Sequence, residues 1–86
     1  LSFNTIEKKF AYFLLDNIRT NKKRNKIDYL KIDTPGQKEL AGLFGVSRPS
    51  FGRVVSKFIN EKLIEYKKKE KQYLILNYNR LSEMIK

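Results

Sequence analysis

Eighty-six residues make one small domain, and a chain of this length buries only ~60% of its unfolded surface. Cysteine and histidine are both absent, which excludes disulfides, thiolate zinc sites, iron–sulfur clusters and every nucleophile paired with histidine. Nineteen Lys and Arg against nine Asp and Glu leave a net charge of +10, the balance of a polyanion binder.

The chain opens at Leu1 rather than Met and enters a helical pattern almost at once, so a fragment of a longer protein is expected. Over residues 5–19, Ile6, Phe10, Ala11, Leu14 and Ile18 share one face at helical spacing. Glu7 lies in the first turn, where the macrodipole is positive. Phe13 and Leu15 widen the apolar stripe beyond what a surface helix needs, and a neighbouring element of the full protein is expected to cover them.

Residues 20–26 are dominated by Lys22, Lys23, Arg24 and Lys26 and read as a solvated loop, with a nuclear-import signal as the lesser reading. Tyr29 to Ile32 form a short β-prone run before the turn residues Asp33, Thr34, Pro35 and Gly36. A second helix is expected over 37–44, stopped by Gly45 in the left-handed conformation. Ser47 suits the N-cap of a third helix, with Pro49 in its first turn, and that helix runs to about Asn60. Residues 63–67 and 72–76 are β-type runs joined by a basic tip, and 80–86 are expected to form a short closing helix.

The window 37–57 meets the demands of two helices crossing at a tight turn. Ala41 is small where the helices approach, Gly45 takes the turn, and Leu40, Phe44, Val46, Phe51 and Val54 fill the buried positions. The fold class is therefore mainly α with a small β hairpin, a winged helix-turn-helix, with the helix-turn-helix at about 37–60 and the wing at about 63–76. On the third helix, Phe51, Val54, Val55, Phe58 and Ile59 form the core stripe. Pro49, Ser50, Arg53, Ser56, Lys57 and Asn60 form an acid-free polar face. Arginine on such a face can donate two hydrogen bonds to guanine O6 and N7 in the major groove. An ordinary solvated face is the alternative reading, and simple solubility is the alternative for the basic tip of the hairpin.

These residues resemble the C-terminal DNA-binding domain of the Crp/Fnr transcription regulators. The similarity is carried by Lys9-Phe10-Ala11 with the paired leucines Leu14-Leu15, by Gln37 to Ala41, by Gly45-Val46-Ser47-Arg48, by Ser50-Phe51-Gly52-Arg53-Val54, and by Glu61-Lys62-Leu63-Ile64 before the hairpin and Arg80-Leu81. The resemblance implies a reader of double-stranded DNA that follows a ligand-binding β-barrel and a dimerisation helix, neither of them in this chain. The full-length protein would be a homodimer joined through upstream residues. It also implies Arg48, Ser50 and Arg53 as recognition residues and Ser47 near a phosphate. Pro49 departs from the glutamate found in many members, so carboxylate readout of cytosine is not available there.

The expected DNA-binding residues are thus Ser47, Arg48, Pro49, Ser50, Arg53 and Lys57 on or beside the third helix, and Lys67 and Lys69 in the wing. No cofactor, metal or membrane is expected, and the location implied is cytoplasmic. A winged helix that docks proteins and binds nucleic acid only non-specifically is the alternative function. Asp28 with Asp33, or Glu61 with Glu65, as a catalytic pair is the remote one.

Overall fold

The computed structural model describes residues 5–86. Its elements in chain order are α1 (Ile6–Lys23), β1 (Lys31–Asp33), α2 (Gln37–Phe44), α3 (Arg48–Asn60), β2 (Ile64–Lys67), β3 (Gln72–Ile75) and α4 (Tyr78–Met84). The strands form one antiparallel sheet in the order β1-β3-β2. Register places Tyr66 opposite Tyr73 and Asp33 opposite Gln72. The fold is a winged helix-turn-helix, and β1 adds a third strand to the hairpin expected from the sequence.

Three elements differ from the sequence reading by two residues or more at a boundary, each for a local reason. The first helix continues past Arg19 to Lys23 because Asn21 is buried at its last turn. Its side-chain amide donates to the carbonyls of Tyr29 and Lys31 at 3.3 and 3.2 Å, so the added turn is tied to the start of β1. Asn25, at φ 57°, then stops the helix in the left-handed conformation, and the Lys26 N–H returns to the Asn21 carbonyl at 3.0 Å. Much of the expected 20–26 loop is therefore helix.

The strand-like run near Tyr29 shifts to Lys31–Asp33, where β3 supplies partners. The closing helix begins at Tyr78 because the Asn77 side chain caps it, accepting from the Arg80 N–H at 3.1 Å.

An aromatic hub fills the core. Phe10 is fully buried, and its ring centroid lies 5.0 Å from those of Phe51 and Phe58, 5.2 Å from Tyr73 and 6.4 Å from Phe44. One side chain of α1 thus joins both helices of the helix-turn-helix to the sheet. Phe13 meets Phe44 edge-on at 6.0 Å, so α2, an element of this chain, covers part of the wide apolar stripe. Leu15 lines a groove between α1 and α4 with Tyr78 and Ile85. Ile59, read as core, is only half-buried.

Tyr73 is completely buried, yet among the described residues its hydroxyl has no hydrogen-bond partner. Burial first, and the neighbouring Tyr66 second, hold its pKa above the ordinary 10.0. An unpaired hydroxyl gives up its bonds to water on folding without replacing them. Tyr73→Phe is therefore expected to leave stability unchanged or raise it by up to ~1 kcal/mol, read as the midpoint of urea unfolding. It should also flatten the alkaline limb. With tyrosine the folded state holds a proton that the unfolded chain releases above pH ~10, so stability falls from there upward. Phenylalanine has no such proton.

Candidate nucleic-acid interface

The turn between α2 and α3 is built as the sequence requires. Gly45 sits at φ 72°, ψ 31°, and the Val46 N–H reaches back to the Ala41 carbonyl at 2.9 Å. A Cβ at Gly45 would meet nothing within 4 Å, so its backbone angle rather than crowding favours glycine there. Leu40 and Ala41 of α2 and Phe51 and Val54 of α3 are all buried, and the Phe44 ring meets that of Phe51 edge-on at 5.5 Å. Lys9 of α1 adds a support the sequence did not announce. Its ammonium donates to the Phe44 carbonyl at 3.0 Å, filling an acceptor left open at the end of α2.

α3 begins with a compact hydrogen-bonded group. The Ser47 hydroxyl caps the helix by accepting the Ser50 N–H at 3.2 Å, and donates to the Ser50 hydroxyl at 2.9 Å. That same oxygen accepts from the Arg53 guanidinium at 3.3 Å. Ser47, Ser50 and Arg53 are thereby linked along one edge of the first turns. Arg48 and Pro49 occupy the first positions of the helix, both exposed. α3 carries no acid in its thirteen residues, so nothing on the helix neutralises Arg48 or Arg53.

The remaining expected residues stand apart from that group. Lys57 is exposed but lies 3.7 Å from the Glu7 carboxylate of α1. Lys67 closes β2 and lies 3.6 Å from Glu65. Lys69 is exposed in the turn between β2 and β3. Exposed pairs of this kind contribute ~0 to 1 kcal/mol, so they do not prevent either lysine from taking a phosphate instead. Acids on other elements are what the linear reading of Lys57 missed, since Glu7 is fifty positions away.

The wing is braced as well as charged. The Asp33 carboxylate accepts from the Gln72 amide at 2.8 Å, and the Thr34 N–H donates to the Lys71 carbonyl at 3.0 Å. These bonds tie the entrance of α2 to the wing turn, so wing and helix-turn-helix are presented together.

Residues 8–84 match the model of the Crp-like helix-turn-helix domain. The chain belongs to the Crp-like helix-turn-helix family. No curated protein and no solved structure gives a significant match. Membership makes this a DNA-binding fold, in line with the net charge of +10. Among the described residues, no helix is long and apolar enough to cross a membrane.

Proposed function

We propose that this Crp-like domain reads double-stranded DNA by sequence, as the DNA-binding part of a transcription regulator. The observation that carries the reading is the exposed, acid-free start of α3, where Ser47, Ser50 and Arg53 are joined by hydrogen bonds. A major groove admits an α-helix, and base edges are read by side chains held in position near its N-terminal end. In this reading Arg48 and Arg53 reach base edges and Ser50 steadies Arg53. Ser47 lies at a phosphate, and Lys57, Lys67 and Lys69 neutralise backbone charge.

The regulator would act as a homodimer through residues upstream of this chain, with half-sites about one DNA turn apart. No cofactor is required by the interface itself, because its side chains act as hydrogen-bond donors and point charges.

Salt titration tests the division between reading and neutralising. Lys69→Ala is expected to weaken binding to every duplex alike and to reduce the slope of log K against log salt by ~0.9. An unchanged slope would remove Lys69 from the interface and leave the wing charge as a solubility feature.

Pro49 is the point of departure from the carboxylate seen in many Crp-like members. It sits exposed beside Arg48 in the first turn of α3 and offers no donor or acceptor from its side chain. Its ring can press on a thymine methyl. Pro49→Glu is expected to preserve the fold, since a carboxylate is favourable near a helix N-terminus, and to move preference at one base pair per half-site toward cytosine. Site profiles selected by the two proteins at one salt concentration check this, and identical profiles would mean that residue 49 does not face the bases.

A further inference from the structure

The basic cluster that follows α1 has no role in the interface described so far. Residues 22–33 contain five basic side chains and two acidic ones, and the wing turn 67–71 contains four basic and one acidic. The fold brings these two segments to the same end of the sheet. Lys26 lies 3.6 Å from one oxygen of Asp33, and the other oxygen of that carboxylate accepts from Gln72. Gln72 directly follows the wing turn, whose last residue, Lys71, is itself bonded to Thr34. Lys26, Lys31 and Gln72 line one shallow hollow between the loop and the wing.

We propose that the loop closing α1, through Arg24 and Lys26, is a second phosphate-binding surface that extends the wing along the DNA backbone beyond the bases read by α3. The inference rests on the duplex-reading function proposed above. Three observations support it. The loop is joined to the start of β3 through one carboxylate, Lys26 lying 3.6 Å from one oxygen of Asp33 and the Gln72 amide 2.8 Å from the other.

Arg24 and Lys26 are exposed, and the ion pairs of this segment, Lys26 with Asp33 and Lys31 with Asp28, are of the weak solvent-exposed kind that a phosphate can displace. The loop also sits at the far end of α1 from the Glu7 contact with α3, ~24 Å away at the helical rise. It is therefore distant from Lys57, and a contact there would add to the footprint at a separate point. The geometry of the loop is set by Asn21 and Asn25 through backbone bonds, so its cations can be changed without disturbing how it is held.

The test compares charge-matched variants of the 86-residue chain on a random duplex of ~20 base pairs, about twice the length spanned by the 34 Å long axis of the domain. Arg24→Gln with Lys26→Gln is expected to lower the salt slope by ~2 and leave the thermal midpoint within a few degrees of wild type. Lys62→Asn with Lys86→Gln removes the same charge elsewhere and is expected to leave the slope unchanged; asparagine suits the left-handed backbone of Lys62 at φ 60°.

A loop variant with the wild-type slope, beside a Lys69→Ala variant whose slope falls, would overturn this inference and leave the duplex-reading function standing. Equal falls for the two charge-matched pairs would also overturn it, since only net charge would then matter. Wild-type protein without salt-dependent duplex binding would defeat the underlying function, and the inference with it.

Discussion

Replacing Arg53 by alanine is expected to weaken binding to the preferred site by ~1 to 3 kcal/mol, roughly 5- to 150-fold, with a much smaller loss on random duplex. The asymmetry follows from what the guanidinium supplies. A phosphate contact contributes the same charge neutralisation on any sequence, whereas a bidentate pair of donors fits guanine and loses its bonds on other bases. Arg53 is exposed on an acid-free helix, and the Ser50 hydroxyl holds one of its nitrogens at 3.3 Å, so part of the ordering needed for recognition is present before binding.

Arg53→Lys sharpens the test because it keeps the charge and removes the planar fork. It should retain most of the affinity for random DNA while losing preference for the selected site. Competition binding with the two duplexes measures both effects, and equal losses on both for Arg53→Ala would reduce Arg53 to a phosphate contact.

Phe10→Ala is expected to cost ~3 to 5 kcal/mol of stability. Phe10 is fully exclusive of solvent and packs its ring against Phe44, Phe51, Phe58 and Tyr73, so truncation leaves a cavity bordered by α2, α3 and β3 at once. These elements are fixed by their own hydrogen bonds and cannot all close on the gap. A domain of this size is stable by only ~4 to 13 kcal/mol, so the loss is a large share of the total. Urea unfolding should show the midpoint falling with an unchanged slope. A loss below about 1.5 kcal/mol would mean that the rings repack and that Phe10 is not the element joining helix-turn-helix to sheet.

How much of this was legible in the sequence depends on how locally each feature is encoded. The span from Gln37 to Asn60 was readable because Gly45, Ser47 and the Leu40, Phe44, Phe51 and Val54 pattern act within two adjacent helices. Ser47 was readable as the cap of α3 for the same reason, whereas the bonds that join it to Ser50 and Ser50 to Arg53 depend on rotamers that the sequence does not specify.

The extent of α1 was not, because the signal that ends it is Asn25 in a left-handed conformation, backed by an asparagine that bonds residues eight and ten positions later. α3 closes in the same way, on Lys62 at φ 60°, but there the apolar stripe stops at Ile59 and the end near Asn60 was readable without a glycine. Tertiary pairs were invisible altogether: Lys57 with Glu7, Gln72 with Asp33, and Lys9 with the end of α2 each join distant positions. Those pairs decide which cations are partly engaged within the protein and which elements carry the wing, and linear order holds no trace of them.

Selection of bound sites from a random duplex pool by the 86-residue chain tests the central claim most directly. The account predicts enrichment of a short motif containing guanine, with the information at one position lost when Arg53→Ala is selected in parallel. A wild-type pool that stays random through repeated selection, while the chain still binds every duplex in a salt-dependent way, would contradict sequence-specific reading and leave a basic winged helix that holds DNA without choosing it.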